Sequence, residues 1–359
     1  MSDSKAILIN DTSTKPHLGC RLVVSQIVKL AASHGIQVVA TSSVHTDWRT
    51  QSALQDEMRK ADLVIVNGEG TLHHSSRQAK ALADVGPFCR SAGVPSILVN
   101  SVYEENDDAI ARACEAFDRI YVRESRSAHN ARLAGLKVEV VPDLTLSSRA
   151  MSSYRSSSRG GSMVVTDNAN SERNKQLLEH ALRRRDASYL NLNTCEPSNP
   201  FLDKSARPFA VFMPDGVADE APAPRQPQRI GYRAFRKSVF RPLMASRMAM
   251  IRDTTRFRPA ADILTTIAEA KGLIAGRFHA ACLSLMAGTP FASMASNTSK
   301  TRGMLEDAGL SQFLAGDPAA AFQLATSWRE QDNIAAAAYV ARAERDALEM
   351  FNDIASLAR

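Results

Sequence analysis

GLIAGRFHAACLSLMAGTPFASMASNTSK, residues 272–300, is the stretch that decides the fold. The apolar run Leu273, Ile274 and Ala275 stops at Gly276, and Arg277 and His279 follow where a helix should start. That helix runs through Leu285 and ends at Gly288, and Pro290 to Met294 reads as the next strand, with Lys300 just beyond. A guanidinium, an imidazole and an ammonium therefore fall on loops at the ends of neighbouring strands, where open α/β sheets bind ligands. Arginine suits flat anions held through two hydrogen bonds. Histidine is the side chain suited to proton transfer near neutral pH. The stretch points to a site for a small anion and one moving proton.

The same rhythm extends through the N-terminal part of the chain. Ala6–Asn10, Ile36–Thr41, Leu63–Asn67, Ser96–Asn100, Ile120–Arg123 and Val138–Val141 are strand-like apolar runs, separated by segments of helical spacing such as Leu22, Ile27, Val28 and Leu30. Continuous rather than alternating apolar strands indicate a parallel sheet covered on both faces, built from βαβ units. Residues 147–162 hold eight serines among sixteen residues and read as an interdomain linker or flexible loop. A second α/β region follows, with strands at Met163–Thr166, Tyr189–Asn193 and Phe209–Met213 and a helix around Ser171–Arg185. A Pro/Ala stretch and an Arg-rich segment come next; the α/β rhythm resumes near Ala249–Asp253, and from Pro318 the pattern is helical. The expected fold class is α/β: two Rossmann-like domains facing a cleft, as in B-type (GT-B-like) glycosyltransferases, with C-terminal helices. The expected divisions are 1–146, a linker at 147–162, 163–335 carrying an Arg-rich insert at 225–258, and a final helix at 336–359 that packs back across the first domain.

At 359 residues the chain is long enough for two domains. With 44% hydrophobic and 23% charged residues it has the composition of a globular protein. No run approaches the ~20 apolar residues of a membrane span, and MSDSKAILIN enters a strand without a signal-peptide layout, so a cytoplasmic protein is expected. The five cysteines have no C-x-x-C spacing, so neither a disulfide framework nor a zinc site is indicated. The net charge of +6 is local. Residues 225–258 hold ten Lys/Arg against Asp253, and the rest of the chain carries 34 basic and 37 acidic residues, a net of −3.

Three segments together give the chain a family likeness. They are Val64-Ile65-Val66-Asn67-Gly68-Glu69-Gly70-Thr71-Leu72-His73; Tyr121-Val122-Arg123-Glu124-Ser125-Arg126-Ser127 with the later Val140-Val141-Pro142-Asp143; and Gly276-Arg277-Phe278-His279-Ala280 continuing through Ala287-Gly288-Thr289-Pro290 to Lys300. In this order and spacing they resemble the polysaccharide pyruvyl transferase family. The resemblance implies transfer of a pyruvyl group from phosphoenolpyruvate to a cell-surface or exopolysaccharide glycan or its lipid-linked precursor. Phosphoenolpyruvate is then a donor substrate, and no cofactor is expected. The chain departs from the family in its first loop, where many members carry Asn-x-Gly-Asp-Glu-Ala. Here Thr14-Lys15-Pro16-His17-Leu18-Gly19-Cys20-Arg21 keeps the glycine and has no acid. It also has Arg123-Glu124 where Arg-Asp is common, and its Arg-rich insert matches no recognised family element.

On this reading His279 is the general acid or the partner of the departing phosphate, and Glu69 is a base for the acceptor hydroxyl. Arg277, Lys300 and Arg123 hold the donor's carboxylate and phosphate. Asn67, Gly68, Gly70, His73, His17 and Arg21 are cleft or acceptor candidates, the last two because they lie near a helix start that favours anions. Some have plainer alternatives: a helix cap for His279, a strand-to-helix turn for Gly68–Gly70, and a salt bridge to Glu124 or Asp143 for Arg123. Adjacent His73 and His74 lack a third ligand at suitable spacing, so no metal is expected. The Arg-rich segment, with Tyr232, Phe235, Phe240 and Phe257 between its charges, suits peripheral contact with anionic lipid or a pyrophosphate-linked acceptor at the inner face of the membrane. A solvated loop fits as well, and nucleic acid is disfavoured because no binding module accompanies the charge. Two other functions stay open: a nucleotide-sugar-dependent GT-B glycosyltransferase, and a non-catalytic module of a polysaccharide assembly complex.

Overall fold

A computed structural model describes residues 3–154, 159–203, 210–214, 216–218, 257–295 and 298–358. The Arg-rich insert apart from Phe257 and Arg258, together with its membrane reading and the strand expected near Ala249–Asp253, lies outside the described residues.

The first unit runs β1 (Ser4–Asp11), α1 (Leu18–Ser33), β2 (Ile36–Ser43), α2 (Ser52–Lys60), β3 (Leu63–Asn67), α3 (Arg77–Ala83), α4 (Val85–Ala92), β4 (Ser96–Ser101), α5 (Asp108–Cys114), β5 (Arg119–Val122), α6 (Ser125–Leu133) and β6 (Glu139–Val140). The second runs β7 (Met163–Thr166), α7 (Ser171–Arg183) and β8 (Ala187–Leu190), then β9 (Ala210–Met213) and β10 (Gly216–Ala218). It continues through α8 (Ala260–Glu269), β11 (Gly272–Ala275), α9 (Phe278–Ala287), β12 (Phe291–Met294), α10 (Lys300–Asp307), β13 (Leu314–Ala315), α11 (Pro318–Thr326) and α12 (Glu330–Leu357).

Among the described residues, eight strands form one sheet in the order β10-β9-β2-β1-β3-β4-β5-β6, and five form another in the order β13-β12-β11-β7-β8. Every pairing is parallel except β10 with β9. The strands are apolar on both faces because both faces are covered. Ile7, Ile9, Val64 and Val66 pack under α2–α6, while Ala6, Leu8, Leu63 and Ile65 pack under α1 and the end of α12. The turn and cap residues act as their chemistry dictates. Asp317 caps α11 with Pro318 at its first position, and Gly288 ends α9 in the left-handed region at φ 68°.

Four sequence expectations change. The strand expected at Phe209–Met213 pairs with β2 of the first sheet, Ala40–Ser42 against Ala210–Phe212, and buries Phe212 in that unit's core. The open edge of β2 is thus covered by a strand contributed from later in the chain. Tyr189–Asn193 shortens to Ala187–Leu190, and the following residues bend to hydrogen-bond Asp167 and α1. The Ser-rich connection begins as buried structure, since Leu146 and Met151 lie in the second unit's core. Finally, α12 starts at Glu330 and belongs to both units. Ala336, Tyr339, Val340 and Ala343 pack in the second core, and Ala347, Met350, Phe351 and Ile354 in the first. Its Asp353 accepts hydrogen bonds from Arg119 and Tyr121 of β5.

Candidate active site

The carboxyl ends of β1, β3 and β5 face those of β7, β8 and β11 across a cleft, and the chemistry collects there. At the end of β3 the backbone turns sharply: Glu69 sits at φ 31°, a left-handed conformation that is strained for a residue with a Cβ. Asn10 and Asn67 brace this turn. Asn10 Nδ2 donates to the Asn67 carbonyl at 2.6 Å, and Asn67 Nδ2 donates to the Asn10 carbonyl and to Thr12 Oγ1, both at 3.3 Å. From the other unit, Gly276 lets the chain leave β11 in close contact with β7, since a Cβ there would lie 2.5 Å from the Asp167 carbonyl oxygen. Arg277 is the N-cap residue of α9. His279 then projects from the first turn against α1, where Gly19 has no side chain to obstruct it.

His279 is the centre of the arrangement. Its Nε2 lies 3.9 Å from Glu69 Oε1 and 3.9 Å from Asp143 Oδ2, and it has no hydrogen-bond partner. Burial pushes the imidazole below its ordinary value, against the opposite pull of Asp143 and Glu69. Burial also disfavours charge on those two carboxyls, but the positive groups around them, His279 and Arg123, outweigh it and hold both below the usual range. Arg123 is itself buried, bound to Asp143 at 3.0 Å and laid over the Phe278 ring at 4.4 Å. The salt bridge and the cleft position expected for Arg123 therefore coexist. Burial, with Arg123 beside it, lowers Lys300 to about 8.

A cavity of about 460 Å³ opens over this group. Lys15, His17, Cys20, Glu69, Gly70, Arg123, Arg277, His279 and Lys300 line it, with Asn168, Asn170, Arg173 and Asn193 on the far wall. A second cavity, about 560 Å³, adjoins it and shares Lys15, Cys20, Glu69 and Gly70; its outer wall carries His45, Asp47, His73, Arg77 and Gln78. Of the residues expected from sequence, His279, Glu69, Arg277, Lys300, Arg123, Gly70 and His17 meet in the first cavity, and His73 lies in the second. Asn67 and Gly68 line neither; they shape the turn that presents Glu69, with Gly68 packed on Ser101.

Arg21 points away from both cavities. It donates to the Lys15 carbonyl, to Thr194 Oγ1 and to the carbonyls of Glu196 and Ser198, tying α1 to the second unit. Arg277 gives its Nε and Nη2 protons to Asp167 Oδ2 at 2.8 and 2.6 Å, so its fork is held by a carboxylate as it lines the cavity. Lys15, Cys20, Arg173 and the Asn168–Asn170 turn escaped the sequence reading. Lys15 adjoins residues singled out there, and only the folded loop shows that it faces both cavities. His74 pairs with Glu105 at 2.9 Å, away from His279.

The sequence model for polysaccharide pyruvyl transferase matches residues 17–199 and 234–298, most of the chain. The chain belongs to the polysaccharide pyruvyl transferase family. No curated protein matches it. Among solved structures it is similar to a putative UDP-N-acetylglucosamine 2-epimerase from Listeria monocytogenes (11% identity, covering 99% of this chain and 96% of that one, TM-score 0.54). It is likewise similar to the S. aureus MnaA–UDP complex (11% identity, covering 98% and 96%, TM-score 0.53). At this identity the likeness is one of fold: two parallel sheets with helices, in a GT-B-like arrangement. No helix among the described residues is long and apolar enough to cross a membrane.

Proposed function

We propose that this family member transfers the pyruvyl group of phosphoenolpyruvate to hydroxyls of a cell-surface or exopolysaccharide glycan, or of its lipid-linked precursor, on the cytoplasmic side of the membrane. The observation that carries the reading is His279 Nε2 without a partner, 3.9 Å from each of two carboxylates, in a cavity lined by Lys15, Arg123, Arg277 and Lys300. The donor brings a carboxylate and a phosphate, which these cations and the start of α9 would hold.

The chemistry needs one proton at the donor's methylene carbon. Binding the multiply charged donor beside His279 opposes the effect of burial and favours the imidazolium. His279 then protonates the methylene, and positive character develops at the carbon bearing the phosphate oxygen. A sugar hydroxyl attacks that carbon while Glu69 draws off its proton, and the carbon–oxygen bond to phosphate breaks. Attack by a second hydroxyl closes a ketal. Of the two hydroxyl protons, one balances the new methyl group and the other leaves with phosphate. Glu69 lies on the wall shared by the two cavities, which suits a base that meets an acceptor entering from the second.

The test is a thermal-shift titration with phosphoenolpyruvate, pyruvate and nucleotide diphosphates. A ligand specific for the native state adds about 2.7 kcal/mol at a hundredfold excess over its Kd. Stabilisation by phosphoenolpyruvate alone, weakened in Arg277→Ala, is expected. Stabilisation by a nucleotide diphosphate alone would overturn the reading in favour of a nucleotide-sugar enzyme. His279→Gln should fold, bind donor and lose turnover by about 10²–10⁴-fold.

A further inference from the structure

We propose that His17, Cys20 and His279, with Glu69 as fourth ligand, form a binding site for a zinc-class divalent cation. One ligand atom from each of His17, Cys20 and His279 lies within 4.8 Å of the others, and all three residues are buried. Glu69 Oε1 stands beside them, 3.2 Å from Cys20 Sγ and 3.9 Å from His279 Nε2, but not within 4.8 Å of all three, so as a fourth ligand it has to close in on the trio. Tetrahedral zinc with nitrogen, oxygen and sulfur bonds of about 2.0–2.3 Å spaces its ligand atoms about 3.5 Å apart. The His17–Cys20–His279 trio is therefore within side-chain adjustment of that geometry, with a larger movement asked of Glu69.

The unsatisfied atoms make the case stronger than proximity alone. His17 Nδ1 accepts the Cys20 backbone N–H at 3.5 Å, so in this structure its Nε2 carries the ring proton; ligation through Nε2 moves that proton to Nδ1 and gives up this long hydrogen bond. His17 Nε2, His279 Nε2 and Glu69 Oε2 are all buried without a hydrogen-bond partner. Buried polar atoms are rarely left so; His279 Nε2 and Glu69 Oε2 can each offer a lone pair to an electron-pair acceptor beside the Cys20 thiol, as His17 Nε2 can once its proton has moved. The donor set of two imidazoles, a thiolate and a carboxylate suits zinc or cobalt(II) far better than magnesium or calcium. The elements differ from those of the His73–His74 pair: the ligands come from the N-cap and first turn of α1, the β3 turn and the first turn of α9.

Ligation would replace the proton that Cys20 Sγ donates to Glu69, releasing it to solvent. A cation on His279 Nε2 would also occupy the lone pair required to carry a proton. On the proposed function, metal-loaded protein is a catalytically silent state, and donor and metal compete.

The probe is cobalt(II), added to the full-length protein after chelator treatment under anaerobic conditions. One equivalent per chain should give tetrahedral visible bands and a thiolate-to-cobalt charge-transfer band, both displaced by zinc(II). The charge-transfer band should vanish in Cys20→Ser and weaken at least tenfold in apparent affinity in His17→Gln, while Cys195→Ser, which removes the exposed cysteine, leaves it intact. Circular dichroism identifies any variant that fails to fold, and the two ligand variants back each other. Absence of the band, its survival in Cys20→Ser or its loss in Cys195→Ser would overturn the site. Phosphoenolpyruvate at a hundred times its Kd should raise the apparent cobalt Kd about a hundredfold. The band without that competition would uphold the metal site and count against the donor reading, so the two ideas fail separately.

Discussion

Gly19→Ala is the most discriminating single-methyl perturbation of this site. A Cβ at position 19 would lie 2.1 Å from His279 Cγ, 2.3 Å from its Cβ and 2.5 Å from its Nδ1. Carbon atoms rest about 3.5–4.0 Å apart, so roughly 1.5 Å must open between α1 and α9. Neither helix yields easily: Leu18, Leu22, Ala280 and Leu283 interlock in one core. Overpacking of this kind costs about 1–3 kcal/mol, and displacing His279 should cost up to the ~10²–10⁴-fold that a general acid contributes. The decisive assay is a double-mutant cycle by urea unfolding with His279→Gly, chosen because His279 Cβ is itself in the clash. In that background Gly19→Ala meets no imidazole, and a helical alanine should be neutral or stabilising by up to about 1 kcal/mol. A coupling energy of about 1–3 kcal/mol is expected. Equal destabilisation in both backgrounds would refute the contact and, with it, the claim that Gly19 is what seats His279.

Gly70→Ala should behave differently. Its Cβ would make ordinary contacts, 3.5 Å from Lys300 Nζ and 3.7 Å from Arg123 Nη2, so stability changes by less than about 0.5 kcal/mol while the KM for donor rises. Lys300 has a folded value of about 8 against an ordinary 10.5, so the unfolded chain binds more protons between those pH values. Stability should therefore rise with pH from about 8 to 10.5, and that rise should flatten in Lys300→Met. Donor affinity should fall across the same interval, as measured by calorimetric titration. Arg21→Met should lower stability by about 3 kcal/mol, because four acceptors lose a charged donor, yet leave donor affinity within twofold. Phe351→Ala should cost about 3–5 kcal/mol in chemical unfolding by hollowing the core between α1 and α12.

The parts of the fold legible in the sequence were those with local signals. β3 follows from an apolar run ended by glycine, β7 from one ended by Asp167 and Asn168, and the helix between Gly276 and Gly288 from the glycines that bound it, and the structure places them within a residue or two of expectation. β9 was legible as a strand but not as a member of the first sheet, because partner choice depends on the open edge of β2 and leaves no mark on Ala210–Met213 itself. Met151 reads as one apolar residue in a serine tract, and its burial is decided by the second core closing over it. The site divides the same way. Arg277, His279 and Lys300 are adjacent in sequence to a strand end. Asp167 as the partner of Arg277, and Lys15 as a wall of two cavities, require the distant segments to have met.

The first loop illustrates how a motif can be lost while its position keeps working. Where many relatives place two acids after the glycine, this chain has Cys20 and Arg21. The structure gives these two positions different directions: Cys20 faces the cleft and donates to Glu69, whereas Arg21 is buried away from it and fastens residues 194–198. A second acid at position 20 would stand about 3 Å from Glu69, close enough to force one of the pair to hold a proton. With a thiol there, Glu69 is the acid from this side of the cleft and Asp143 its counterpart across His279, so two carboxylates still flank the imidazole. The loss of acid from the loop therefore changes what binds beside Glu69 without emptying the site of carboxylates. The same substitution brings a thiol between two histidines, which is why the loop's departure and the proposed metal site have a single origin.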